Sequence, residues 1–264
     1  IAVCAMGRFA IESRRKIVAW QELNLPNVSQ QIANRMTQTT APSDSSRVEN
    51  ASPTDKPAPS RRLRKWVVAV LVVAAAIFVW DEYIKYRVIA KRWGVVTAGK
   101  VYRSGQVSKW MLEKKLKEHG IQVVIDMNGI EADDEHQEAE IATVARMGLE
   151  HHRFKLGGDG TGDIRNYANA IEVIHRCEQQ GRPVLVHCSA GAQRTGGVVA
   201  FYRVLILGQS PKDAYAELSK YGWKAYKNQA LLEYLNGHMQ ELADLLIERG
   251  VIASVPNPLP VVEP

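Results

Sequence analysis

The stretch Val184-Leu-Val-His-Cys-Ser-Ala-Gly-Ala-Gln-Arg-Thr-Gly196 decides the fold of this chain. Val184 to Val186 are aliphatic and predict a short buried strand, and the apolar run that begins at Thr195 predicts a buried helix. A loop between a strand and a helix start directs backbone N–H groups and the positive end of the helix dipole at one point. The stretch therefore predicts a concave binding site for a phosphate or sulfate anion.

Three side chains give this loop its chemistry. Cys188 begins the loop, where the same field favours thiolate over thiol. Arg194 ends it with a planar guanidinium that can hold two phosphate oxygens, and Gly191 lets the backbone turn between them. An inert buried cysteine, a Walker phosphate loop and a sulfurtransferase loop are the alternatives. The loop has no Walker lysine, and sulfurtransferase loops lack the Arg-Thr-Gly ending, so phosphoryl transfer is favoured.

Two segments resemble a known family. His187 to Gly196 resembles the signature loop of the cysteine-dependent protein tyrosine and dual-specificity phosphatases. Val101-Tyr-Arg-Ser-Gly-Gln106 resembles the opening strand and turn of the atypical dual-specificity group and its bacterial relatives. The resemblance covers about residues 93–250. It implies a phosphatase domain there that needs no metal or other cofactor.

The resemblance also implies a role for each loop residue. Cys188 would attack phosphorus and form a cysteinyl-phosphate, and Arg194 would hold the phosphate through both steps. Thr195 would hydrogen-bond the cysteine sulfur, and His187 would order the loop without reacting. The remaining residues of the loop would bind phosphate through their backbone together with Arg194: Ser189, Ala190, Gly191, Ala192 and Gln193.

Members of the family place an aspartate, the general acid, on a loop before the cysteine. The two candidates are Asp159 and Asp163, in the segment Leu156-Gly-Gly-Asp-Gly-Thr-Gly-Asp163. Asp163 precedes an amphipathic helix and would serve as its N-cap, which accounts for it without catalysis. Asp159 lies among glycines and could move over a leaving oxygen, so Asp159 is favoured, with Asp163 as the alternative.

The surrounding periodicity predicts an α/β fold with a central, mostly parallel sheet flanked by helices. Strands are expected over 121–127 and 151–156, and helices over 109–119 and 135–147 before the cysteine loop. Three further helices are expected after it, over 195–207, 211–221 and 227–248. The last residues, 251–264, form a proline-rich tail.

The amino-terminal third predicts a membrane protein. Residues 1–62 are expected to be disordered, and residues 1–35 not to be native, because the chain opens on isoleucine and Met36 begins a plausible polar tail. The uncharged run 66–80 follows a basic cluster, and residues 63–84 are long enough for one transmembrane helix if Arg64 and Lys65 snorkel. A buried soluble helix and a cleaved signal peptide are the alternatives, and no cleavage site follows. Residues 85–92 would then form a juxtamembrane segment.

Charge indicates the orientation and excludes one class of partner. Basic residues lie directly against the amino-terminal end of the run, which places the amino terminus inside and the phosphatase domain outside the cytoplasm, in the periplasm. Residues 1–92 hold 15 Lys and Arg against 7 Asp and Glu, so the basic character belongs to this segment. It therefore gives no support for nucleic-acid binding. Three cysteines do not form a disulfide scaffold.

The variable residues of the cysteine loop are neutral, which favours protein phosphotyrosine or dual-specificity substrates over phosphoinositides. The expected protein is a membrane-anchored phosphatase that hydrolyses phosphate monoesters. A phospholipid or small-molecule phosphatase is the alternative, as is an inactive phosphate-binding module. Intact Cys188, Arg194 and Thr195 disfavour the inactive module.

Overall fold

Residues 61–264 are described by the computed structural model, apart from the side chains of Leu63, Glu82 and Tyr83. They belong to one structural unit, residues 59–264. The predictions for residues 1–60, disorder and a non-native segment 1–35, lie outside the described residues.

The strands of the described region form a single five-stranded sheet in the order β1-β2-β5-β3-β4. The pairs β2–β5, β5–β3 and β3–β4 are parallel, which confirms the expected mostly parallel sheet. The edge pair β1–β2 is antiparallel and was not anticipated. The strands are β1 Gly94–Thr97, β2 Val101–Gly105, β3 Val123–Asp126, β4 Glu150–Arg153 and β5 Val184–Cys188.

Helices connect and flank these strands. Before the cysteine loop they are α1 Arg61–Val79, α2 Lys85–Val88, α3 Leu112–Glu118, α4 Glu135–Arg146 and α5 Ile164–Gln179, with a π-helical turn at Trp80–Ile84. After it come α6 Gln193–Phe201, a π-helical turn Tyr202–Ile206, α7 Pro211–Lys220, α8 Gln229–Gly237 and α9 Met239–Glu248. The single helix expected over 227–248 is therefore wrong. The chain leaves the helical conformation at His238, whose ψ is 9°, and a second helix begins there.

Successive strand residues point to opposite sides of the sheet, and helices cover both sides, so the sheet is buried on both faces. Val123 and Ile125 pack in the larger core with α5, α6, α8 and α9. Val124 packs in the smaller core with residues of α3 and α4. The continuous apolar runs in β3 and β5 follow from this two-sided burial, and they identify both strands as central.

The carboxyl-terminal segment 251–264 belongs to the same core. Val262 is fully buried, and its backbone exchanges hydrogen bonds of 2.8 and 3.0 Å with the side chain of Asn236 on α8. The proline-rich tail is thus packed against the domain at its end.

Across residues 61–264, we find no helix that combines the length and the apolar character needed to cross a membrane. The 19-residue helix α1 opens with Arg61-Arg-Leu-Arg-Lys65, so its uncharged part is shorter than the helix. The transmembrane helix expected over 63–84 is therefore not shown by the structure.

Candidate functional site

The loop from β5 to α6 surrounds the sulfur of Cys188. Cys188 is the last residue of β5 and is almost fully buried, and the amide of Gly191 lies 3.1 Å from its Sγ. Gly191 has φ of +74°, and a Cβ there would lie 2.4 Å from the nitrogen of Gly105 on β2. Only glycine fits this turn without strain, which agrees with the predicted role of Gly191 in letting the backbone turn.

The loop's backbone carbonyls point away from the sulfur. Three of them accept hydrogen bonds from outside the loop: Ser189 O from the Gln106 amide (3.3 Å), Ala190 O from Arg92 (2.7 Å) and Gly191 O from Arg103 (2.9 Å). Because a trans peptide holds its C=O and the next N–H on opposite sides, each outward carbonyl turns the following N–H inward. The loop therefore forms the concave ring of donors that an anion requires.

Asn128, just after β3, holds the start of the loop. Its Oδ1 accepts from the amide and the hydroxyl of Ser189, at 2.8 and 2.7 Å. The Asn128 side chain donates in turn to Asp126 Oδ1 at 2.6 Å, and both residues are about 1% exposed. This fixed orientation of the Asn128 amide group pins Ser189 to the neighbouring strand.

The surroundings of Cys188 favour its thiolate. Burial opposes ionisation, but the hydroxyl and amide of Thr195, the charge of Arg194 and the Gly191 amide outweigh it. The pKa of the thiol is therefore held below its usual value. Within residues 61–264, the buried Thr195 hydroxyl has no other hydrogen-bond partner. It is thus free to donate to the sulfur, as the family resemblance implies.

Arg194 lies at the beginning of α6, on the same side of the loop as Ser189. Its Nη2 donates to the Ser189 hydroxyl at 3.2 Å. Its buried Nε has no partner among the described residues. This leaves guanidinium donors available to an oxyanion in the loop.

His187 is paired with a buried carboxylate. Its Nε2 lies 3.1 and 3.2 Å from the two oxygens of Glu140 on α4. Burial disfavours the imidazolium, but the Glu140 charge outweighs burial and raises the pKa of His187 to about 9. His187 thus carries a positive charge at neutral pH, one residue from Cys188.

One group in the described region could hold a metal ion: Asp126, Glu140 and His151, whose ligand atoms lie within 4.8 Å of one another. Both carboxylates already have cationic partners, because Arg153 Nε lies 3.0 Å from Asp126 and His187 pairs with Glu140. A metal would have to displace these partners.

The two candidate acids lie on the loop between β4 and α5. Asp163 caps α5 by accepting from the Arg165 amide at 2.9 Å, and it also pairs with the Arg165 guanidinium. Asp159 Oδ1 accepts from the amide and hydroxyl of Thr161, at 3.0 and 2.9 Å. These bonds lower the Asp159 pKa. Asp159 therefore closes a turn with Thr161, a local role that its position among glycines did not indicate.

Hydrogen bonds from α5, from α8 and from the residue that caps α8 hold this loop. Three of its carbonyls are engaged: Asp159 O by Asn228 (2.7 Å), Gly160 O by Tyr167 (2.5 Å) and Gly162 O by Tyr234 (2.9 Å). A Cβ on Gly160 would lie 3.3 Å from the carbonyl carbon of Gln193. The Asp159 loop thus borders the cysteine loop.

Comparison with known proteins adds the family. A family model described as "Dual specificity phosphatase, catalytic domain" matches residues 104–241, just over half of the chain. The chain belongs to the dual-specificity phosphatase family. This confirms the resemblance inferred from the signature loop.

Similar proteins match shorter stretches. The dual specificity protein phosphatase OPG106 of vaccinia virus strain Western Reserve is 40% identical over 48 residues, which are 18% of this chain and 28% of the viral protein. The dual specificity protein phosphatase H1 of variola virus matches to the same extent. The chain thus spans little more than a quarter of the length of these relatives.

Solved structures are similar over a larger part of the chain. TpbA of P. aeruginosa shares 17% identity with a TM-score of 0.49, covering 61% of this chain and 91% of its own. The core catalytic domain of the PP-IP phosphatase SIW14 from S. cerevisiae, in complex with citrate, shares 15% identity with a TM-score of 0.49, covering 62% and 96%.

This dual-specificity phosphatase domain contains site residues that sequence reasoning missed. Arg103 lies in the quoted Tyr-Arg-Ser-Gly-Gln segment but received no role, although a charged residue in an apolar strand signals a buried partner. Asn128 follows β3 at the carboxyl edge of the sheet, where polar residues after neighbouring parallel strands converge. The sequence therefore indicates a structural role for both residues. All the predicted loop residues lie together in one turn, and their catalytic roles stay predictions.

Proposed function

We propose that this protein hydrolyses phosphate monoesters through a cysteinyl-phosphate intermediate, with protein phosphotyrosine as substrate and dual specificity. The observation that carries the proposal is the Gly191 amide, which lies 3.1 Å from the buried Cys188 sulfur. It belongs to a ring of N–H groups that the three outward carbonyls direct inward and that Arg194 closes. The ring supplies what phosphoryl transfer asks of a protein, which is positioning and stabilisation of the charge on the phosphate oxygens.

The reaction takes two steps. The Cys188 thiolate attacks phosphorus, an S–P bond forms, the ester O–P bond breaks, and the leaving oxygen takes a proton from the general acid. Water then attacks phosphorus and gives a proton to the same carboxylate, the S–P bond breaks, and inorganic phosphate leaves the restored thiolate. Thr195 supports the departing sulfur by donating a hydrogen bond.

Asp159 is the general acid in this proposal. Its loop borders the start of α6, while Asp163 is occupied by capping α5 and pairing with Arg165. The hydrogen bonds from the Thr161 amide and hydroxyl lower the Asp159 pKa. The Asp159 carboxyl group therefore carries the proton that it must donate mainly at acidic pH. We expect turnover of substrates with poor leaving groups to increase as the pH falls towards mildly acidic values.

The first experiment compares the full chain with its Cys188→Ser variant. Both are assayed without metal, under reducing conditions, on para-nitrophenyl phosphate, phosphotyrosine and phosphoserine peptides, and phosphoinositides. Cys188-dependent hydrolysis of phosphotyrosine peptides is the expected result. Faster hydrolysis of phosphoinositides would favour the phospholipid phosphatase. Phosphate binding without hydrolysis in folded wild type would favour the inactive binding module.

The second experiment separates the two aspartates. We expect Asp159→Asn to lower kcat about 10²-fold on alkyl or phenyl phosphates and much less on para-nitrophenyl phosphate, whose leaving group needs no proton. Asp163→Asn is the matched control: asparagine still caps α5, so we expect little change in melting temperature and no dependence on the leaving group. A larger leaving-group dependence in Asp163→Asn would reverse the assignment.

The substrate class rests on the neutral residues of the loop. Ser189, Ala190, Ala192 and Gln193 bring no charge of their own to the phosphate site. An inositol ring with several phosphates would gain more from lysines at these positions. A single phosphate on a peptide needs only the backbone ring and Arg194, which supports a phosphorylated protein as substrate.

Attachment to a membrane, with the phosphatase domain outside the cytoplasm, is part of the same proposal. It is supported by the basic cluster that opens α1 and by exposed apolar side chains that follow, with Trp66 72% and Trp80 44% exposed. The test is carbonate extraction of membranes from cells that express the full chain, followed by protease treatment of intact spheroplasts. Release of the protein by carbonate would refute the attachment. Protection of the phosphatase domain from the protease would refute the orientation.

A further inference from the structure

We propose that Arg92, upstream of the matched region 104–241, is a positioning residue for the cysteine loop. Its Nη1 donates to the carbonyl of Ala190 at 2.7 Å. That carbonyl belongs to the same peptide unit as the Gly191 amide, which lies 3.1 Å from the Cys188 sulfur. Since a planar trans peptide keeps its C=O and N–H antiparallel, holding the carbonyl outward aims the amide at the sulfur.

The backbone at Arg92 is shaped for this contact. Its φ is +49°, an uncommon conformation for a residue with a Cβ. The preceding carbonyl, Lys91 O, accepts from the amide of Gly105 at 2.7 Å, which anchors the segment to the end of β2 beside the loop. Such backbone outliers persist where surrounding contacts enforce them, and they concentrate at functional sites.

A glycine of the segment after α7 leaves space for the Arg92 guanidinium. A Cβ on Gly222 would lie 2.8 Å from Arg92 Nε, so the glycine there allows the side chain to pass. Among the side chains that the structure describes, no carboxylate forms an ion pair with Arg92. Its charge is therefore not diverted from the loop, and the contact with Ala190 is a charge-assisted hydrogen bond across 98 residues of sequence.

Loss of the Arg92 contact should affect chemistry more than substrate binding. A loosened Ala190–Gly191 peptide would donate less effectively to the thiolate and to the transferring phosphoryl oxygens. Removing a donor of this kind entirely lowers kcat about 10²- to 10³-fold. Here the amide is retained and only its orientation is released, so we expect a decrease of about tenfold in kcat with little change in KM.

The test uses the full chain with Arg92→Gly. Glycine accepts φ of +49° without strain, so the variant keeps the backbone while losing the guanidinium. We expect an unchanged or higher melting temperature, a lower kcat, and slower alkylation of Cys188 by iodoacetate at pH 6. Arg92→Asn, which also tolerates this conformation, is the second variant and should behave in the same way.

Arg87→Ala is the matched control, since Arg87 belongs to the same segment but lies over the Trp110 ring, 4.5 Å from its centre. It should leave kcat and alkylation unchanged. Folded Arg92→Gly and Arg92→Asn with wild-type kcat and alkylation would overturn the inference. The kcat readout rests on the proposed function, but alkylation does not. A wild-type chain without hydrolysis would refute that function alone, and the alkylation rates would still decide the role of Arg92.

Discussion

Glu140→Gln removes the charge that keeps His187 protonated inside the protein. His187 is about 1% exposed, and the Glu140 carboxylate is the cation's principal partner. A rise of the His187 pKa from 6.5 to about 9 corresponds to about 3 kcal/mol of stabilisation when the imidazolium is formed. The glutamine variant keeps the shape of the side chain and should lose most of this contribution.

The sign of the pH dependence follows from the direction of the shift. A group whose folded pKa is raised contributes stability that is complete below its unfolded pKa, near 6.5, and is lost as the pH rises through about 9. The lowered pKa of Cys188 acts in the opposite direction over the same range. The comparison is therefore made in a Cys188→Ser background, where this second titration is absent.

The assay is urea unfolding at pH 6 and pH 9, followed by tryptophan fluorescence, to which the buried Trp223 contributes. In Cys188→Ser we expect the free energy of unfolding to fall by about 3 kcal/mol between the two pH values. With Glu140→Gln added, most of that fall should disappear. Glu138→Gln, an exposed glutamate on the same helix, is the control. An equal fall with and without Glu140 would refute the reasoning.

Three further outcomes are expected. Gly191→Ala should lower the free energy of unfolding by more than about 2 kcal/mol in urea, because its Cβ would lie 2.4 Å from the nitrogen of Gly105. Asn228→Ala should lower kcat on phenyl phosphate several-fold while costing only about 1 kcal/mol of stability, since it frees the carbonyl of Asp159. Arg103→Met should lower the unfolding free energy by about 3 kcal/mol, because a buried ion pair and a hydrogen bond to the loop are lost together.

The strand–loop–helix at Val184–Phe201 could be predicted because its signals are local. Aliphatic residues in sequence give a strand buried on both faces, and β5 is the middle strand of five. The N-cap at Asp163 could likewise be predicted, because capping depends on residues within one turn. In both places the residues that determine the structure are neighbours along the chain.

Other features depend on contacts that no short window contains. The break at His238 was missed because the apolar pattern continues through it, and Met239 and Leu242 are as buried as Leu235 before it. The antiparallel strand β1 is only four residues long, and its alternation of buried and exposed positions covers too few residues to identify. Pairing with β2, rather than intrinsic preference, makes this segment a strand.

The cysteine loop combines both situations. Its sequence specifies the reacting groups, but its three outward carbonyls are held by residues from elsewhere: the Gln106 amide and Arg103 from the β2 region and Arg92 before β1. None of these donors lies within the signature, and two of them, Arg92 and Arg103, precede the matched region 104–241. The inward direction of the N–H groups, on which anion binding depends, is therefore a property of the assembled sheet. A signature loop of this kind identifies the chemistry, whereas the rate it can reach depends on contacts that form only when the domain folds.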